Sequence, residues 1–583
     1  MNRLPSFVFH PLAILALTAL ACHALLPFTD YICYDDLWLT NWAVHGDYDH
    51  MKTIYSESGK VTVYWYFRLL SAFGFDPAAC KLFGIVLSFG CGCLVYAIAA
   101  RTRFVTRLDA LFLGMVTIAF PAYKLIGGFV YSNYEFSYFV FLLAAFLVLR
   151  AEEWTGLCHW LGRLGGLLLF AMSFNLASLL MFYGGFFLLA VLLYQQRKGL
   201  AFYNVPLGYI CRRLDMLLLP FVYWIAKNML EPTHDHYADY NQPKLSLKTL
   251  LELYKTVPSV LTDPFALIAA LSLKKKLALL GVVIPIVVYI VSLAARRVRE
   301  ADAAGDIDDR NRVSGSCRLR RAAGLLGFGL VLFVLGSAPY IAVNKGFGPF
   351  GVASTHTILL PLPIAIVLLA VGSAVPHRST GWLPRALSGL LSASVAFCLV
   401  AWATSWWHNC LSLQALKVRN DSIMRYVHNN PAARSCSVFF VQNRLRIPRT
   451  PDDIHTWTWT YLECGLDGEP RSIAFNGLPL TSSGQTYSTS VEDVVKYIDE
   501  TTLAYAMTSI NPNGPKGMLL IRQGPGFRTS ASAALKYLYF RHFAPDRMGP
   551  FLDSVTEAKF FPAPWDGSRP FSMGPDGKWD DPE

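Results

Sequence analysis

Long apolar runs separated by short polar segments dominate the first 405 residues. Crossing the hydrocarbon core of a bilayer takes roughly 20 apolar residues in a helix. The pattern predicts about eleven transmembrane helices, at residues 7–28, 80–100, 108–127, 134–150, 157–174, 176–195, 214–230, 277–297, 322–341, 355–375 and 386–405. One Arg precedes the first run, as in a signal peptide, but the later runs favour an uncleaved anchor.

The apolar stretch at residues 157–195 allows one very long helix or a hairpin broken near Ser173 and Asn175. Basic residues in short loops of membrane proteins lie mostly on the cytoplasmic side. A hairpin puts every Arg-rich loop on that side, whereas one long helix would put residues 296–321 outside. We therefore predict a hairpin, with an outer face formed by residues 29–79, 231–276 and 342–354 and the C-terminal region.

From about residue 406 the pattern changes to short β-rich runs between Pro, Gly and Asn turns. The runs SVFFVQ, SIAFN, TLAYAM and GMLLIRQ are predicted strands, and SASAALKYLYFRHF is a predicted helix. The predicted fold class is an all-α polytopic membrane domain over residues 1–405, followed by a small soluble α/β domain over residues 406–583. A loosely ordered tail is expected after residue 562.

Composition agrees with this class: 54% of the 583 residues are hydrophobic and 16% are charged, against about 25% charged in soluble domains. The net charge is +11, and the basic residues cluster in short segments between apolar runs, where they are not interleaved with aromatic residues. The charge rule for membrane proteins explains these segments, and we expect no nucleic-acid partner.

Three carboxylates follow the first apolar run in FTDYICYDDLWLTNW, residues 28–42: Asp30, Asp35 and Asp36. A lone carboxylate at a membrane surface is usually a solvated loop charge. Here aromatic residues flank the acidic pair on both sides: Tyr31, Tyr34, Trp38 and Trp42. Two of them, Trp38 and Trp42, would share one face of a helix starting near Leu37 and lying in the interface.

Adjacent residues point about 100° apart on a helix, so the two neighbouring carboxylates cannot easily share one role. We predict Asp35 as the catalytic base. The second residue, Asp36, is either catalytic or the N-cap of the helix. Asp30 is left without a role.

The segment EPTHDHYADYNQPK follows the seventh run. His234 and His236 stand two apart without a third placed ligand, so a solvated loop is favoured over a metal site. A divalent cation stays open, and no other cofactor is expected. Tyr237, Tyr240 and Asn241 suit a hydroxyl-rich ligand through stacking and hydrogen bonding.

Two further outer segments carry candidate residues. Lys345 lies in a Gly-rich loop ahead of His356, where it either snorkels to the interface or neutralises a phosphate. Asn175 interrupts an apolar run, which is costly unless its amide is paired or at the surface. It either forms a turn satisfied by its own side chains or faces a ligand.

An acidic pair in the first outer loop of a many-span chain with a terminal extracytoplasmic domain resembles the GT-C class of membrane glycosyltransferases. The fragments SFNLASLLMFY, LLLPFVYWIAKNML with YADYN, and APYIAVNKGFGPFGVASTHTILLPL look like bacterial GT-C proteins allied to the phage-type O-antigen glucosyltransferases. The resemblance covers the membrane part loosely.

The resemblance implies an integral inner (cytoplasmic) membrane enzyme, with its C-terminal domain on the periplasmic or outer face. Its implied donor is a polyprenyl-phosphate-linked sugar, transferred with inversion to a glycan or glycolipid acceptor of the cell envelope. Membrane lipids are further partners. The chain departs from the pattern at Thr355–His356, where an Arg-His pair is expected, so Lys345 or Arg68 would take the place of that Arg.

The predicted site therefore has three groups of residues. Asp35 and Asp36 are the catalytic candidates. Lys345, His356 and Arg68 would bind the donor phosphate. The sugar or the acceptor would contact Tyr34, Trp38, Tyr237, Tyr240, Asn241 and Asn175.

A multi-span transporter or lipid flippase is the alternative function. It predicts inverted repeats and charges at mid-membrane depth, neither of which is evident in the sequence. A phosphoethanolamine- or acyl-type transferase would need a nucleophile with metal ligands, which the C-terminal region does not obviously offer. A purely structural envelope protein leaves the aromatic-acidic cluster unexplained.

Overall fold

A computed structural model describes residues 10–32, 36–72, 76–102, 104–200, 206–238, 242–244, 246–274, 315–374, 382–448, 472–476 and 515–562, with single residues at 74, 204, 276, 281, 450 and 459. Three predicted features lie outside these residues, except that residue 281 belongs to the first of them. They are the span at 277–297, the strand TLAYAM and the tail after residue 562.

Fifteen α-helices in the described part of the chain precede its C-terminal region. The first four are α1 (Pro11–His23), α2 (Asp36–His45), α3 (Tyr48–Glu57) and α4 (Val61–Ser71). Mostly longer ones follow: α5 (Pro77–Ala99), α6 (Arg107–Ala119), α7 (Ser132–Ala151), α8 (Gly156–Ser173), α9 (Ser178–Lys198), α10 (Leu207–Arg212), α11 (Leu214–Leu230), α12 (Leu247–Ala269), α13 (Gly315–Ala342), α14 (Pro361–Ala374) and α15 (Trp382–Asn429).

Four helices among the described residues are long and apolar enough to cross a membrane: Pro77–Ala99, Ser132–Ala151, Ser178–Lys198 and Leu319–Ala342. The described chain is thus mostly helical, with several helices of spanning length. Other predicted spans within it form shorter or less apolar helices; α1 has 13 residues and α14 has 14. The full count of eleven remains a prediction.

The apolar stretch at 157–195 folds as a hairpin. Helix α8 ends at Ser173 and α9 begins at Ser178, and the turn between them contains Asn175. This confirms the predicted break. Helix α8 packs back against α7.

Two ion pairs join helices α8 with α11 and α13 with α6. Arg163, near the start of α8, donates from Nε to Asp215 Oδ2 at the start of α11, at 2.7 Å. Arg321, near the start of α13, donates from Nη2 to Asp109 Oδ2 at the start of α6, at 2.6 Å. Each pair joins two helices in the halves that contain their first residues, which the charge rule predicts to lie on the cytoplasmic side.

Small residues let the first membrane helices approach closely. A Cβ placed on Gly114 of α6 would lie 2.7 Å from the backbone oxygen of Gly92 in α5 and 3.0 Å from Leu15 Cδ2 in α1. Glycine at this position therefore sets the distance between α5 and α6, as small residues do where membrane helices pack.

The C-terminal region is a small α/β structure. Its elements are α16 (Pro431–Arg434), β1 (Val438–Asn443), β2 (Ile473–Asn476), β3 (Lys516–Gln523), α17 (Ser530–Phe543), α18 (Met548–Val555) and β4 (Thr556–Pro562). The strand order is β2-β1-β3-β4, in which β1 runs parallel to β2 and β3, and β4 runs antiparallel to β3. Three of the predicted strands and the predicted helix are confirmed, and β4 was not predicted.

The last turns of α15 cover this sheet. Ile423, Met424 and Val427 of that helix share one buried cluster with side chains of β1 and β3. Those strand residues are Phe439, Val441, Leu519 and Ile521. The helix thus continues well beyond its predicted end at residue 405, because its later residues bury an apolar face against the strands.

The chain divides into two compact units. Unit 1 contains residues 1–27, 52–74 and 79–407, and unit 2 contains residues 28–51, 75–78 and 408–583. The acidic stretch at 28–42 therefore belongs to unit 2 with the α/β region, although the sequence prediction grouped it with residues 1–405.

Residues 231–276, predicted as an outer loop, contain the 23-residue helix α12. Its buried side chains recur every three or four positions: Thr249, Leu253, Thr256, Val260, Pro264 and Ile268. This spacing defines one buried face of an amphipathic helix. The prolines at 258 and 264 obscured that pattern, because proline normally ends a helix.

We expect Gly114→Val to destabilise unit 1 by about 1–3 kcal/mol, because the added side chain forces α5 and α6 apart. Gly327→Val is the matched control, since a Cβ on Gly327 of α13 meets nothing within 4 Å. Thermal unfolding of the detergent-purified protein measures both changes. Equal melting temperatures for the two variants would contradict the close packing of α5 and α6.

Candidate functional site

The acidic pair lies at the start of α2. Asp36 is the first residue of that helix and is only 4% exposed. The helix begins one residue earlier than predicted, so Asp36 lies inside its first turn and is not the predicted N-cap. Asp35 and Tyr34 lie outside the described residues, and Trp38 lies in the first turn of α2. Trp42 is buried and packs edge-on against His50, with ring centroids 4.6 Å apart.

Asp30, which the sequence left without a role, is held from both its backbone and its side chain. Its N–H donates to Gln414 Oε1 of α15 at 3.0 Å. Gln414 Nε2 returns a hydrogen bond to Asp30 Oδ1 at 2.8 Å. Because Gln414 is fully buried, this reciprocal pair fixes the chain at Asp30 against α15.

The second carboxylate oxygen of Asp30 faces α17. Arg541 forms an ion pair with Oδ2, and the Tyr537 hydroxyl lies 3.3 Å from the same atom. That hydroxyl also lies 3.1 Å from Asp421 Oδ2. Since a hydroxyl has one hydrogen to donate, Tyr537 shares it between two carboxylates.

Lys417 completes the group. Its Nζ lies 2.5 Å from Asp421 Oδ2, one helical turn along α15, and 3.9 Å from Asp30 Oδ2. Burial lowers the pKa of Lys417, but the charges of Asp421 and Asp30 raise it by more, so the pKa lies above its ordinary value and the ammonium stays charged. With Arg541, two positive and two negative side chains form what we call the Asp30 cluster.

The Asp30 cluster fixes the chain at Asp30, which lies six positions before Asp36 in the sequence. Sequence reasoning named Asp30 without a role and missed the residues that pair with it. Their signal is partial: Lys417 and Asp421, and likewise Tyr537 and Arg541, stand four apart and share a helix face. Which loop those two faces bind cannot be obtained from spacing.

In unit 1, Asn175 is bonded to two other helices. Its Oδ1 accepts a hydrogen bond from Thr62 Oγ1 of α4 at 2.7 Å, and the Tyr223 hydroxyl of α11 lies 3.4 Å away. Tertiary contacts therefore satisfy the amide oxygen, in contrast to a turn satisfied by its own side chains. Arg68, two turns along α4, is exposed, and its Nη1 donates to Ser71 Oγ at 3.1 Å.

The segment after α11 returns towards α3. The His234 N–H donates to the backbone oxygen of Glu57 at 3.0 Å, and His234 Nδ1 lies 2.6 Å from Asp235 Oδ2. Tyr237 ends a short 3₁₀ turn that also contains His236, while Tyr240 and Asn241 lie outside the described residues. Within the described residues, no group of three His, Cys, Asp or Glu side chains is placed to hold a metal ion.

His356 lies in a 3₁₀ turn that ends before α14 begins at Pro361. Its Nδ1 is 2.5 Å from the carbonyl oxygen of Gly346, and its ring packs on Tyr340. Since a carbonyl only accepts, Nδ1 carries the hydrogen and Nε2 of the neutral ring can only accept. Burial lowers the pKa of His356 to about 4. Donation to a phosphate from Nε2 would require the imidazolium, which this pKa disfavours.

The Gly-rich segment 344–351 is held by neighbouring helices. The Tyr340 hydroxyl at the end of α13 lies 3.0 Å from Ser178 Oγ at the start of α9. Thr249 Oγ1 of α12 donates to Asn344 Oδ1 at 2.5 Å. The ends of α9, α12 and α13 therefore meet where Lys345 and His356 lie.

Lys124 is a buried cation that the sequence prediction missed. It lies in the non-helical segment between α6 and α7, its side chain is 1% exposed, and Nζ is 3.5 Å from Asp263 Oδ2 of α12. Nζ also lies 4.1 Å from the centre of the Phe350 ring. The sequence carried a signal, because a lysine within the predicted span 108–127 invites a functional explanation.

The predicted site residues fall in both units. Asp36 belongs to unit 2. Unit 1 contains Arg68, Asn175, Tyr237, Lys345 and His356. Comparison with protein-family models gives no match, and comparison with curated protein sequences gives none either. The chemistry of this chain is therefore argued from its own residues.

We expect Asp30→Asn to lower the free energy of unfolding by about 1–3 kcal/mol, because the half-buried Lys417 and the more exposed Arg541 would both lose a charged partner. Asp553→Asn is the control, since Asp553 pairs with Arg425 at an exposed position and should cost under about 1 kcal/mol. Thermal unfolding of the purified protein compares them. Equal losses of stability would show that the Asp30 cluster adds no more than a surface ion pair.

The lowered pKa of His356 predicts a pH-dependent stability. The unfolded chain takes up this proton below about pH 6.5, and the folded chain only below about pH 4. Stability should therefore fall by about 2–3 kcal/mol as the pH drops through this window. His356→Gln should remove that part of the slope in melting temperature between pH 4.5 and 7.5. An unchanged slope in His356→Gln would contradict the buried neutral imidazole.

Proposed function

We propose that this chain is a membrane glycosyltransferase that moves a sugar from a polyprenyl-phosphate carrier to a glycan or glycolipid acceptor of the cell envelope. Asp35 is the general base, and Asp36 orients it or the acceptor. The reaction takes place on the outer face of the inner membrane.

The buried carboxylate of Asp36 at the first turn of α2 carries this proposal. Carboxylates rarely enter a protein interior without a structural or chemical task. The N-terminal end of a helix favours a negative charge, which a general base must keep. The Asp30 cluster holds the chain at Asp30, and Asp36 lies at the start of α2.

The proposed reaction is a single displacement at the anomeric carbon. The acceptor hydroxyl gives its proton to the Asp35 carboxylate while its oxygen forms the new glycosidic bond. The bond between the anomeric carbon and the phosphate oxygen breaks, and its electron pair leaves with the polyprenyl phosphate. One displacement inverts the anomeric centre, and a phosphate leaves without protonation, so a second carboxylate is not needed as an acid.

The departing phosphate needs a cation or hydrogen-bond donors close to it. Lys345 supplies a charge from the Gly-rich segment of unit 1. His356 is better suited to accept a hydrogen bond from a hydroxyl, because its neutral ring presents the lone pair of Nε2. Arg68 of α4 stays a candidate for contact with the donor phosphate. Asn175, which is bonded to α4, stays a candidate for contact with the sugar or the acceptor.

The carrier's chemistry also explains the predicted location of the site. A polyprenyl phosphate keeps its tail in the bilayer and its phosphate at the interface, so the groups that act on it must be there. The chain's apolar helices, together with its predicted outer loops, fit such a substrate. The C-terminal α/β region is proposed to bind the acceptor.

We expect Asp35→Asn to reduce transfer roughly 10²- to 10⁴-fold, because the acceptor hydroxyl loses its base. The assay presents a panel of synthetic polyprenyl-phosphate sugars and the native membranes to the reconstituted full chain. It measures released polyprenyl phosphate, so the acceptor need not be known. Asp49→Asn, at an exposed carboxylate of α3, is the control and should retain full activity.

Retention of transfer by Asp35→Asn with loss by Asp36→Asn would reverse the roles of the pair. Retention by both would remove the base assignment. Movement of the intact donor across proteoliposomes, without release of polyprenyl phosphate, would favour a transporter or flippase over a transferase.

A further inference from the structure

Lys124 is almost completely buried close to the Gly-rich segment. Its side chain lies beneath α12 and beside the segment that carries Lys345 and His356. The ring of Phe350 covers it, and its N–H donates to Ser354 Oγ at 3.4 Å. Gly351, between these two residues, has φ of +64°, a left-handed conformation that glycine adopts without strain. This conformation lets Phe350 and Ser354, on either side of Gly351, both contact Lys124.

The Lys124–Asp263 pair is long for charges removed from water. Hydrogen bonds between ammonium and carboxylate groups are usually about 2.7–2.9 Å, whereas Nζ and Oδ2 lie 3.5 Å apart. Taking both charges out of water is costly, and only close geometry compensates for it. A negatively charged group that approached Lys124 more closely would therefore compete with Asp263.

Asp263 is carried on a helix with weakened backbone bonding. Pro258 and Pro264 lie within α12 and remove hydrogen bonds from its C-terminal half. The opposite face of α12 exposes large apolar side chains, among them Leu250 at 49% and Tyr254 at 74%. In a membrane protein such a face contacts lipid chains. A ligand that approaches along α12 therefore arrives from the bilayer rather than from water.

We propose that Lys124 binds the phosphate of the lipid-linked donor and that Asp263 is its counter-ion until the donor displaces it. This inference rests on the proposed function and names the charge that its phosphate site needs. The ligand class is a polyprenyl phosphate or its sugar phosphodiester. Displacement of Asp263 requires the C-terminal half of α12 to move away from Lys124.

The experiment measures binding of sugar-free polyprenyl phosphate to the full chain in nanodiscs. We expect the double variant Lys124→Gln with Asp263→Asn to fold, since it removes both charges of the pair together, and to bind about tenfold or more weakly. Asp263→Asn alone should bind about threefold to tenfold more tightly, because the competing carboxylate is gone. Lys248→Gln, at an exposed lysine of α12, is the matched control and should bind like the wild type.

Wild-type affinity in the double variant would overturn the assignment of Lys124. Weaker binding by Asp263→Asn would overturn the displacement of the counter-ion. Polyprenol, which has no charge, should not compete. Equal competition by inorganic phosphate would overturn the lipid source. Failure of the wild type to bind polyprenyl phosphate would contradict the proposed function itself. Equal binding by the wild type and the double variant would contradict only the assignment of Lys124.

Discussion

The need to pair charges that the fold removes from water explains how both units of this chain are built. In unit 2, Asp30 joins a loop after the first helix to two helices from the far end of the sequence. In unit 1, Lys124 and Asp263 join a buried connection to an amphipathic helix. Lys124 could not be buried singly, because an unpaired charge costs several kcal/mol in a protein interior. The charges around Asp30 are only partly buried, and they too are paired. The polar segments between the membrane helices are placed by these contacts.

Much of the helical architecture could be predicted, because membrane helices need long apolar runs and basic loops indicate their direction. The hairpin at Ser173–Ser178 was predicted from charge alone and is confirmed by the helix ends. Three strands of the C-terminal sheet were predicted from β-rich runs between turns. The helix α12 was missed, since its two prolines and its charged residues resemble a loop. The end of α15 was misplaced because its later residues are buried by a sheet rather than by lipid.

The candidate site was less predictable than the fold. The helix at the acidic pair could be predicted to within one residue, because Trp38 and Trp42 stand four apart. The roles of Asp35 and Asp36 stay predictions. The role of Asp30 could not be predicted, since its partner Gln414 is 384 positions away in sequence. For Asn175 the sequence left a self-contained turn open, whereas its amide oxygen bonds across to α4. For His356 the sequence showed only an imidazole near a helix start. Its tautomer depends on the carbonyl of Gly346, which only the fold brings to Nδ1.

The two ionic groups differ in how close their charges lie, and the difference suits their proposed tasks. Several contacts of the Asp30 cluster lie at 2.5–3.3 Å, and its four charges sum to zero. Short contacts that use both carboxylate oxygens hold a chain segment in one arrangement, which a general base requires of the loop that carries it. The Lys124–Asp263 pair is longer and links a lysine to a helix weakened by proline. A loose pair exchanges its carboxylate for another anion at lower cost, as a site must when its ligand binds and leaves in every catalytic cycle.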